Sequence, residues 1–319
     1  MDTQILAADA AGIEQACHWL RLGQPVAVPT ETVYGLAADA RNGEAVARIY
    51  AAKGRPSFNP LIVHLPDLAA VQRIAVLDEQ ALALAQAFWP GPLTMILPLR
   101  KDSGIASITT AGLQSVGIRV PSHPGMQRLM RAFDGPLAAP SANPSGRISP
   151  TSAAHVADPV NGLGGVIAAV LDDGSCPVGV ESTILGWTPE GAPALLRPGG
   201  LPAEAIEALL GVALAHPELN PAAPSAPGQL SSHYAPNAEL RMNVTHPRPD
   251  ETYLTFGTAA PAQGLTLSAS GDLNEAAAVL FDVLRQADEL GRPIAVAPIP
   301  GHGLGAAIND RLSRAAAPR

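Results

Sequence analysis

The order of apolar and polar positions divides the first 210 residues into short strands and amphipathic helices. Compact apolar runs predict strands, and apolar residues spaced three or four apart predict helices. The predicted strands cover residues 25–30, 61–65, 93–99, 116–121, 165–174, 181–187 and 194–199, and an apolar run at 136–143 ends in a polar loop. The predicted helices cover residues 12–22, 43–52, 78–88, 123–133 and 202–210. Strands mixed with helices indicate an α/β fold with a mixed sheet.

The pattern changes between residues 211 and 237, which are rich in Pro, Ala and Ser and have little apolar periodicity. Such a composition predicts an extended linker. A small α/β pattern returns after it, with strands predicted at 239–244, 252–256, 265–268 and 294–299 and helices at 274–290 and near 303–316. We therefore predict a first domain over 1–210, a linker over 211–237 and a smaller second domain over 238–319. A length of 319 residues suits two domains.

The composition favours a compact protein that acts on small molecules. Hydrophobic residues make up 47% of the chain, and the formal net charge is −8. The sequence contains no run of basic residues that could bind long nucleic acid. The cysteines, Cys17 and Cys176, are far apart and predict neither a zinc site nor a disulfide. The sequence shows no signal peptide and no apolar run of membrane-spanning length, so we expect a cytoplasmic protein without a membrane partner.

Two polar segments in the first third of the chain are candidates for a binding site. PTETVYGL (29–36) puts polar side chains at the end of a predicted strand, where α/β sheets often bind ligands or where a threonine caps the next element. KGRPSFNPLIVH (53–64) carries Lys53 and Arg55 in a proline-constrained loop. Both residues suit phosphate or carboxylate binding, or they cap the preceding helix. Only two of the 20 basic residues are lysines, which favours a function for Lys53.

Three later segments add to these candidates. Arg119 lies in the otherwise apolar run VGIRVP (116–121), and a buried arginine needs an anionic partner from the protein or from a ligand. APSANPSGRISPT (139–151) concentrates hydroxyl, amide and glycine groups that suit phosphate, or it forms an ordinary polar turn. GVESTIL (179–185) and LLRPG (195–199) are weaker signals. The Walker, GxGxxG, GxSxG and HExxH motifs are absent from the sequence.

Taken together, these segments resemble the Sua5/YrdC/YciO family, in its two-domain threonylcarbamoyl-AMP synthase branch. The resemblance covers nearly the whole chain and includes the pair formed by KxR and SxN. The other matching segments are FWPGPLT (88–94), DDGSCPVGVEST (172–183), HYAP (233–236) and AINDRLSRAA (307–316). The family fold implies a YrdC-like domain with a twisted mixed sheet flanked by helices, followed by a smaller Rossmann-like α/β domain.

The resemblance implies a nucleotidyltransferase that joins L-threonine, bicarbonate and ATP. The products would be threonylcarbamoyl-AMP and pyrophosphate, and a separate complex would transfer the threonylcarbamoyl group to adenosine 37 of tRNA. We expect little or no direct tRNA binding. Magnesium would be held by the phosphates, without a metal site made by the protein. Because no covalent nucleophile is needed, catalysis would depend on positioning and charge neutralisation.

The family motifs imply roles for fourteen residues. Catalysis is assigned to Lys53 and Arg55. The nucleotide is assigned to Arg55, Asn59, Ser115, Ser141, Asn143, Ser149, Arg197 and Tyr234. Threonine is assigned to Thr32, His64, Arg119, Ala139 and Ser182. Tyr234 would fold over the nucleotide as a lid that excludes water. Leu230, Ser231 and Ser232 stand where family members can carry a basic residue, so the linker is not expected to add charge.

Two other functions are compatible with parts of the sequence. A YrdC-like RNA-binding module would present a concave face rich in arginine and bind tRNA in a salt-dependent way. A carbamoyl-adenylate activity, like that of the related domain in hydrogenase-maturation proteins, would lack a threonine pocket. Thr32, His64 and Ser182 favour the threonine enzyme over this second alternative.

Overall fold

The structure is a computed structural model that describes residues 2–217, 233–261 and 264–318. Within these residues the chain forms a ten-stranded mixed sheet and a four-stranded parallel sheet, each packed against helices. The predicted class is therefore correct: a large mixed α/β sheet is followed by a smaller α/β unit. The predicted boundaries at 210 and 237 stay a prediction, because the last strand of the first sheet ends at Arg197 and the second sheet begins at Leu240.

The large sheet is built from the strands of the first 200 residues. They are β1 Gln4–Ala7, β2 Val26–Val28, β3 Gly35–Asp39, β4 Ile62–His64, β5 Leu93–Pro98, β6 Ser115–Arg119, β7 Leu137–Ala138, β8 Ala169–Asp172, β9 Thr183–Trp187 and β10 Pro193–Arg197. Their spatial order is β1-β8-β2-β3-β7-β4-β6-β5-β9-β10. Strands β4 and β6 run parallel, and β5 runs antiparallel to β6, so the carboxyl ends of β4 and β6 meet the start of β5.

Helices connect these strands, and four of them begin at an aspartate or asparagine side chain that caps the helix. They are α1 Ala10–Arg21, α2 Gly43–Lys53, α3 Leu68–Ile74, α4 Glu79–Phe88, α5 Pro124–Phe133, α6 Ala153–Ala157 and α7 Ala203–Leu210. Asp9, Asn42, Asp67 and Asp78 each accept hydrogen bonds from backbone N–H groups of the first turn that follows. These caps satisfy donors that a helix start leaves without partners.

The two faces of the large sheet are covered differently. One face carries the largest apolar core, in which Ile49 of α2 and Leu84 of α4 pack on strand residues such as Val63 and Met95. On the other face, α1 and α5 cover the half that contains β1, β8 and β2. The remaining half, over β4, β6, β5 and β9, carries a small cluster of Ile62, Ile184, Ile96 and Leu196. This half-face provides the floor of the candidate site.

The second unit is a parallel sheet with two long helices. Its elements are β11 Leu240–Arg241, β12 Thr252–Phe256, β13 Gly264–Ser268, α8 Leu273–Glu289, β14 Ile294–Val296 and α9 Leu304–Ala315, with strand order β11-β14-β12-β13. All of its strand pairs are parallel, as in a Rossmann-like unit. The apolar sides of α8 and α9 form its core.

The two units pack closely against each other. Gly179 of the first unit lies so near α8 that a Cβ there would come within 2.1 Å of the Ala277 carbonyl oxygen. Val33, Ile148 and Val180, although part of the first unit, belong to the apolar core of the second. The contact between the units is thus continuous with a hydrophobic core.

Some elements differ from the prediction. Strands β1 and β3 and helices α3 and α6 were not predicted. The strand predicted at 239–244 is reduced to Leu240–Arg241, because Asn243 adopts a left-handed backbone with φ 57°. Most other predicted elements are present with their ends shifted by at most two residues, and the strands at 165–174 and 294–299 are shorter than predicted. None of the helices in the described ranges combines the length and the apolar character needed to cross a membrane.

Candidate functional site

A narrow pocket lies where β4 and β6 end and β5 and β9 begin. His64, Arg119 and Thr94 are register partners on three adjacent strands, so their side chains stand in a row on the half-face without helices. The pocket has a volume of about 50 Å³. Its wall consists of Thr32, Val33, Arg55, Ile62, His64, Arg119, Ala139, Pro140, Ser141, Glu181, Ser182, Arg197, His233 and Tyr234.

Arg119 is buried in this row and has both protein partners and donors to spare. Its Nη2 lies 2.7 Å from the Glu31 carboxylate, Nη1 donates to Thr32 Oγ1 at 2.8 Å, and Nε donates to the Gly91 carbonyl. Burial acts to raise the pKa of Glu31, but the charge and hydrogen bond of Arg119, together with backbone N–H groups of Glu31 and Ser122, outweigh it and the pKa is lowered. A guanidinium has five N–H donors, so two remain to bind a ligand carboxylate.

His64 stands next to Arg119 as a neutral imidazole. Burial, and then the charge of Arg119, lower its pKa to about 3, which leaves the ring uncharged at neutral pH. A neutral ring can accept a hydrogen bond from a hydroxyl or an amine. It therefore suits a polar, uncharged part of a ligand whose carboxylate binds Arg119.

Ser182 and Arg197 form the opposite wall. The hydroxyl groups of Ser182 and Thr94 lie 2.8 Å apart, and Arg197 Nη2 donates to both the carbonyl oxygen and the hydroxyl of Ser182. The register between β9 and β10 shifts at Leu195 and Arg197, which turns the arginine toward the pocket. Nη1 of Arg197 makes no hydrogen bond among the described residues, so it can bind an anion.

Lys53 and Arg55 flank Gly54, which ends α2 in a left-handed conformation with φ 59°. Arg55 lines the pocket and donates to the carbonyl oxygens of Asn59 and Pro60. The Lys53 ammonium lies behind the pocket wall and donates to the carbonyl oxygens of Ser141 and Asn143. Burial, and then Arg55, lower the pKa of Lys53 well below its usual range. Lys53 thus fixes the loop that follows β7.

That loop presents its first residues to the pocket. Ala139, Pro140 and Ser141 line it, with the Ala139 N–H bonded to the Ile62 carbonyl oxygen. The Asn143 amide turns back to the carbonyl oxygens of Pro144 and Arg147, and the Ser149 hydroxyl donates to Glu181. Asn143 and Ser149 therefore shape the loop behind the wall.

His233 and Tyr234 close the pocket from the side of the second unit. Tyr234 is 1% exposed, has a left-handed backbone with φ 61°, and stacks on Phe281 of α8 with ring centroids 5.6 Å apart. His233 packs edge-on against the Tyr234 ring. Residues 218–232 of the predicted linker, including Leu230, Ser231 and Ser232, lie outside the described residues.

A second pocket lies on the same half-face of the sheet, farther from Arg119. Its wall includes Ser115, Ile96, Gly186, Trp187 and Leu196. Ser115 and Arg119 point to the same side of β6 and are separated by roughly 13 Å along the strand. The apolar cluster on β4, β5, β9 and β10 lies between the two pockets. The polar pocket, this apolar cluster and the second pocket thus follow one another along one half-face of the sheet, and this strip is called the groove.

Nine of the fourteen predicted site residues line the first pocket together: Thr32, Arg55, His64, Arg119, Ala139, Ser141, Ser182, Arg197 and Tyr234. Ser115 lies at the far end of the groove. Among the described side chains, Lys53, Asn59, Asn143 and Ser149 lie behind the wall, and their direct ligand contacts stay predictions. The described residues contain no group of three or more His, Cys, Asp or Glu side chains that could hold a metal ion.

Two family models match the chain along most of its length. The Sua5/YciO/YrdC model, described as telomere recombination, matches residues 18–199, and the model described as threonylcarbamoyl-AMP synthase, C-terminal domain, matches residues 201–317. A threonylcarbamoyl-AMP synthase of Bacillus subtilis is 40% identical over 338 residues, covering 99% of this chain and 96% of the relative. The chain belongs to the threonylcarbamoyl-AMP synthase family. The family expected from the sequence motifs is therefore correct.

Solved structures agree with this assignment. The solved structure of Pyrococcus abyssi Sua5 in complex with L-threonine is 37% identical in sequence to this chain. The superposition covers 98% of each chain and has a TM-score of 0.89. YciO of Escherichia coli, at 21% identity, covers 62% of this chain with a TM-score of 0.53 and shares the fold alone. The likeness to the two-unit Sua5 structure extends over both sheets of this synthase-family chain.

Five residues of this synthase-family site were not assigned from the sequence: Glu31, Thr94, Glu181, His233 and Arg311. Glu31 holds Arg119, and Glu181 and His233 line the pocket. Each of the five lies inside a matching segment, and Glu31, Glu181 and His233 directly precede an assigned residue. A charged residue in an otherwise apolar or hydroxyl-rich segment was the available signal for Glu31 and Glu181.

Proposed function

We propose that this chain makes threonylcarbamoyl-AMP and pyrophosphate from L-threonine, bicarbonate and ATP. The observation that carries the proposal is a single groove that joins a carboxylate-binding arginine, a neutral histidine, two further arginines and an apolar floor. Membership of the threonylcarbamoyl-AMP synthase family supports the reaction. The product would be the activated group for N6-threonylcarbamoyladenosine formation in tRNA.

Threonine would bind at the polar end of the groove. The two remaining N–H donors of Arg119 would hold its carboxylate, with Thr32 and Glu31 fixing the guanidinium. His64 and Ser182 would contact its hydroxyl and amine, and the Ala139 side of the loop would contact its methyl group. The L-threonine complex of the P. abyssi relative supports this choice of ligand.

ATP would extend from the arginines toward the second pocket. Arg55 and Arg197 line the polar end and would neutralise the phosphates. The flat strip of Ile62, Ile96 and Gly117 would support the base, and Ser115 would offer a hydroxyl at the far end. Because ligand sites have volumes of roughly 300–1,000 Å³, the lid residues His233 and Tyr234 would move outward to admit the substrates.

The chemistry would proceed without a covalent enzyme intermediate. The threonine amine would first combine with bicarbonate to give N-carboxythreonine and water. A carboxylate oxygen of this carbamate would then attack the α-phosphorus of ATP. The bond from the α-phosphorus to the bridging oxygen would break, and pyrophosphate would leave with its electrons. Arg55 and Arg197 would stabilise the added negative charge, and the closed lid would limit hydrolysis.

Magnesium would enter as part of the ATP complex. The Glu181 carboxylate, although it lines the pocket, is already bonded to Ser149 and Arg311. The metal would therefore be held chiefly by phosphate oxygens and water, which is its usual arrangement with nucleotides. We further propose that the enzyme works in the cytoplasm and passes its product to a separate transfer complex, with little direct tRNA binding.

The test is pyrophosphate release from ATP, bicarbonate and magnesium, with and without L-threonine. We expect release that depends on threonine and is weak with serine. Release that is independent of the amino acid would instead indicate a carbamoyl-adenylate activity. Absence of release, together with salt-dependent tRNA binding, would indicate an RNA-binding module and contradict the proposal.

A further inference from the structure

Arg311 is a fully buried arginine of α9 that reaches across to the wall of the pocket. Its Nε donates to Glu181 Oε2 at 2.8 Å, and Nη1 donates to the carbonyl oxygen of Pro198 at 2.8 Å. Nη1 also donates to Asp310 of its own helix. A buried guanidinium is costly unless it is paired, so these bonds hold Arg311 firmly against the first unit. Pro198 directly follows the pocket residue Arg197.

The same guanidinium also contacts the lid. The Arg311 Cζ atom lies 5.3 Å from the centre of the Tyr234 ring, within the range of a cation–π interaction. The same ring stacks on Phe281 of α8 and meets the ring of His233 edge-on. Through Arg311 and Phe281, the second unit therefore supplies two of the contacts that hold Tyr234 in the closed position.

Glu181, the main partner of Arg311, lies among the groups proposed to bind phosphate. It lines the pocket together with Arg55 and Arg197. Burial acts to raise the pKa of Glu181, but Arg311, then Arg197 and the Ser149 hydroxyl, outweigh it and bring the pKa to about 2. Glu181 is thus a buried anion at neutral pH. Without Arg311, this anion would repel the triphosphate.

We propose that Arg311 is a positioning residue for the nucleotide: it neutralises Glu181 and holds Tyr234 over the pocket. The second unit then completes a site whose other charged groups come from the first. This inference rests on the proposed ATP site. It also gives a role to the C-terminal segment AINDRLSRAA (307–316).

The experiment compares Arg311→Met, Glu181→Gln and the double variant, with the KM values for ATP and threonine measured by pyrophosphate release. We expect Arg311→Met to raise the KM for ATP by about tenfold or more, and the KM for threonine by less than about threefold. Adding Glu181→Gln removes the repelling charge, so the double variant should recover most of the affinity for ATP. A purely structural role of Arg311 would instead change the KM values for ATP and threonine together, without a preference for ATP.

Arg241→Met serves as the matched control. Arg241 also forms an ion pair with a glutamate, Glu251, at 2.7 Å within the second unit, and neither residue lines the pocket. We expect both KM values of this variant to equal those of the wild type. Arg311→Lys keeps the positive charge but lacks the planar guanidinium group. It provides the test if Arg311→Met does not fold. The KM for ATP of Arg311→Lys should stay within about threefold of the wild type.

Two results would overturn the inference. One is a folded Arg311→Met variant whose KM for ATP is unchanged. The other is a uniform loss of thermal stability and activity that Glu181→Gln does not relieve. If the wild type itself releases no pyrophosphate with threonine, the proposed function fails, which is a different outcome from either of these.

Discussion

Arg119 and Arg197 are buried arginines whose protein partners leave donors for a ligand. Glu31 and Thr32 occupy one edge of Arg119, while the carbonyl and hydroxyl of Ser182 occupy one edge of Arg197. Because each guanidinium is already held in place, little conformational entropy is lost when a substrate binds. Substitutions at these positions should therefore change substrate affinity more than folding.

Replacing Arg119 by lysine tests the threonine site. Arg119→Lys keeps the positive charge beside Glu31 but removes the planar fork. We expect the KM for threonine to rise about tenfold to a hundredfold, with a smaller change for ATP. Arg128→Lys is the control, since Arg128 is exposed and bonds only Ala8 and Asp173 among the partners observed. An unchanged KM for threonine in Arg119→Lys would contradict the assignment.

Lys53 is expected to act through the loop that it holds. Lys53→Met removes two hydrogen bonds and leaves two buried carbonyl oxygens without this partner, so the free energy of unfolding should fall by roughly 2–3 kcal/mol. Activity should fall as well, because Ser141 would lose its position. Urea unfolding and pyrophosphate release measure the two effects. Lys101→Met, at the other, exposed lysine, should change neither, and an equally stable Lys53→Met would contradict this role.

At the scale of elements, the site depends on the half of the sheet that α1 and α5 leave uncovered. Strand β6 carries Ser115, Gly117 and Arg119 on this half-face, and the opposite side of the strand packs Val116 and Ile118 in the main core. The lack of a side chain at Gly117 keeps the floor between the two pockets low. Its ideal Cβ would lie 3.3 Å from Ile96 and 3.5 Å from Ile62.

Filling this floor should separate nucleotide binding from threonine binding. Gly117→Val adds a β-favouring side chain to a strand, so the protein should fold, while the added methyl groups occupy the path of the base. We expect the KM for ATP to rise about tenfold or more, with threonine binding by calorimetry nearly unchanged. Ile96→Val, which removes a methyl group from the same floor, is the matched control. An unchanged KM for ATP in Gly117→Val would contradict the placement of the base over this floor.

The elements that the sequence predicted well are those with strong apolar periodicity, such as α8, α5 and β12. Strand β3, with sequence GLAAD, was missed because its small residues lack the branched or aromatic side chains typical of strands. Strand β1 is a short, largely exposed edge strand and shows little pattern. Helix α3 did carry a signal, since Asp67 caps it, but seven residues are too few for clear periodicity.

Most of the site could be predicted because its residues lie in distinctive local segments. What the sequence could not provide is the pairing between segments. Glu31 meets Arg119 across 88 positions of the chain, and Glu181 meets Arg311 across 130 positions. Local patterns carry no information on such contacts. They also could not distinguish Lys53, which binds the loop, from Arg55, which faces the pocket.

At the scale of the whole molecule, buried neutral histidines link stability to pH. Burial lowers the pKa of His64 and of His233 to about 3, and it also lowers the pKa values of His123 and His155. An unfolded histidine binds a proton near pH 6.5. The unfolded chain therefore takes up more protons than the folded chain between about pH 6.5 and 3. Stability is complete above this window and is lost as the pH falls through it.

The free energy of unfolding should accordingly decrease on acidification from pH 7 to 5. Each such histidine contributes a slope of up to about 1.4 kcal/mol per pH unit below pH 6.5. Urea unfolding at several pH values measures the slope. His64→Asn should reduce this slope by the contribution of one histidine, even if the variant is less stable at pH 7. An identical slope in the wild type and in His64→Asn would contradict the neutral state of this histidine.

The central claim is that one groove joins threonine, bicarbonate and ATP in a single product. The most direct measurement is to incubate the protein with L-threonine, ¹³C-labelled bicarbonate, ATP and magnesium, and to analyse the nucleotides by mass spectrometry. The account predicts an adenylate that contains threonine and the labelled carbon, formed together with pyrophosphate. An adenylate without the label, or a labelled adenylate that forms equally well without threonine, would contradict it.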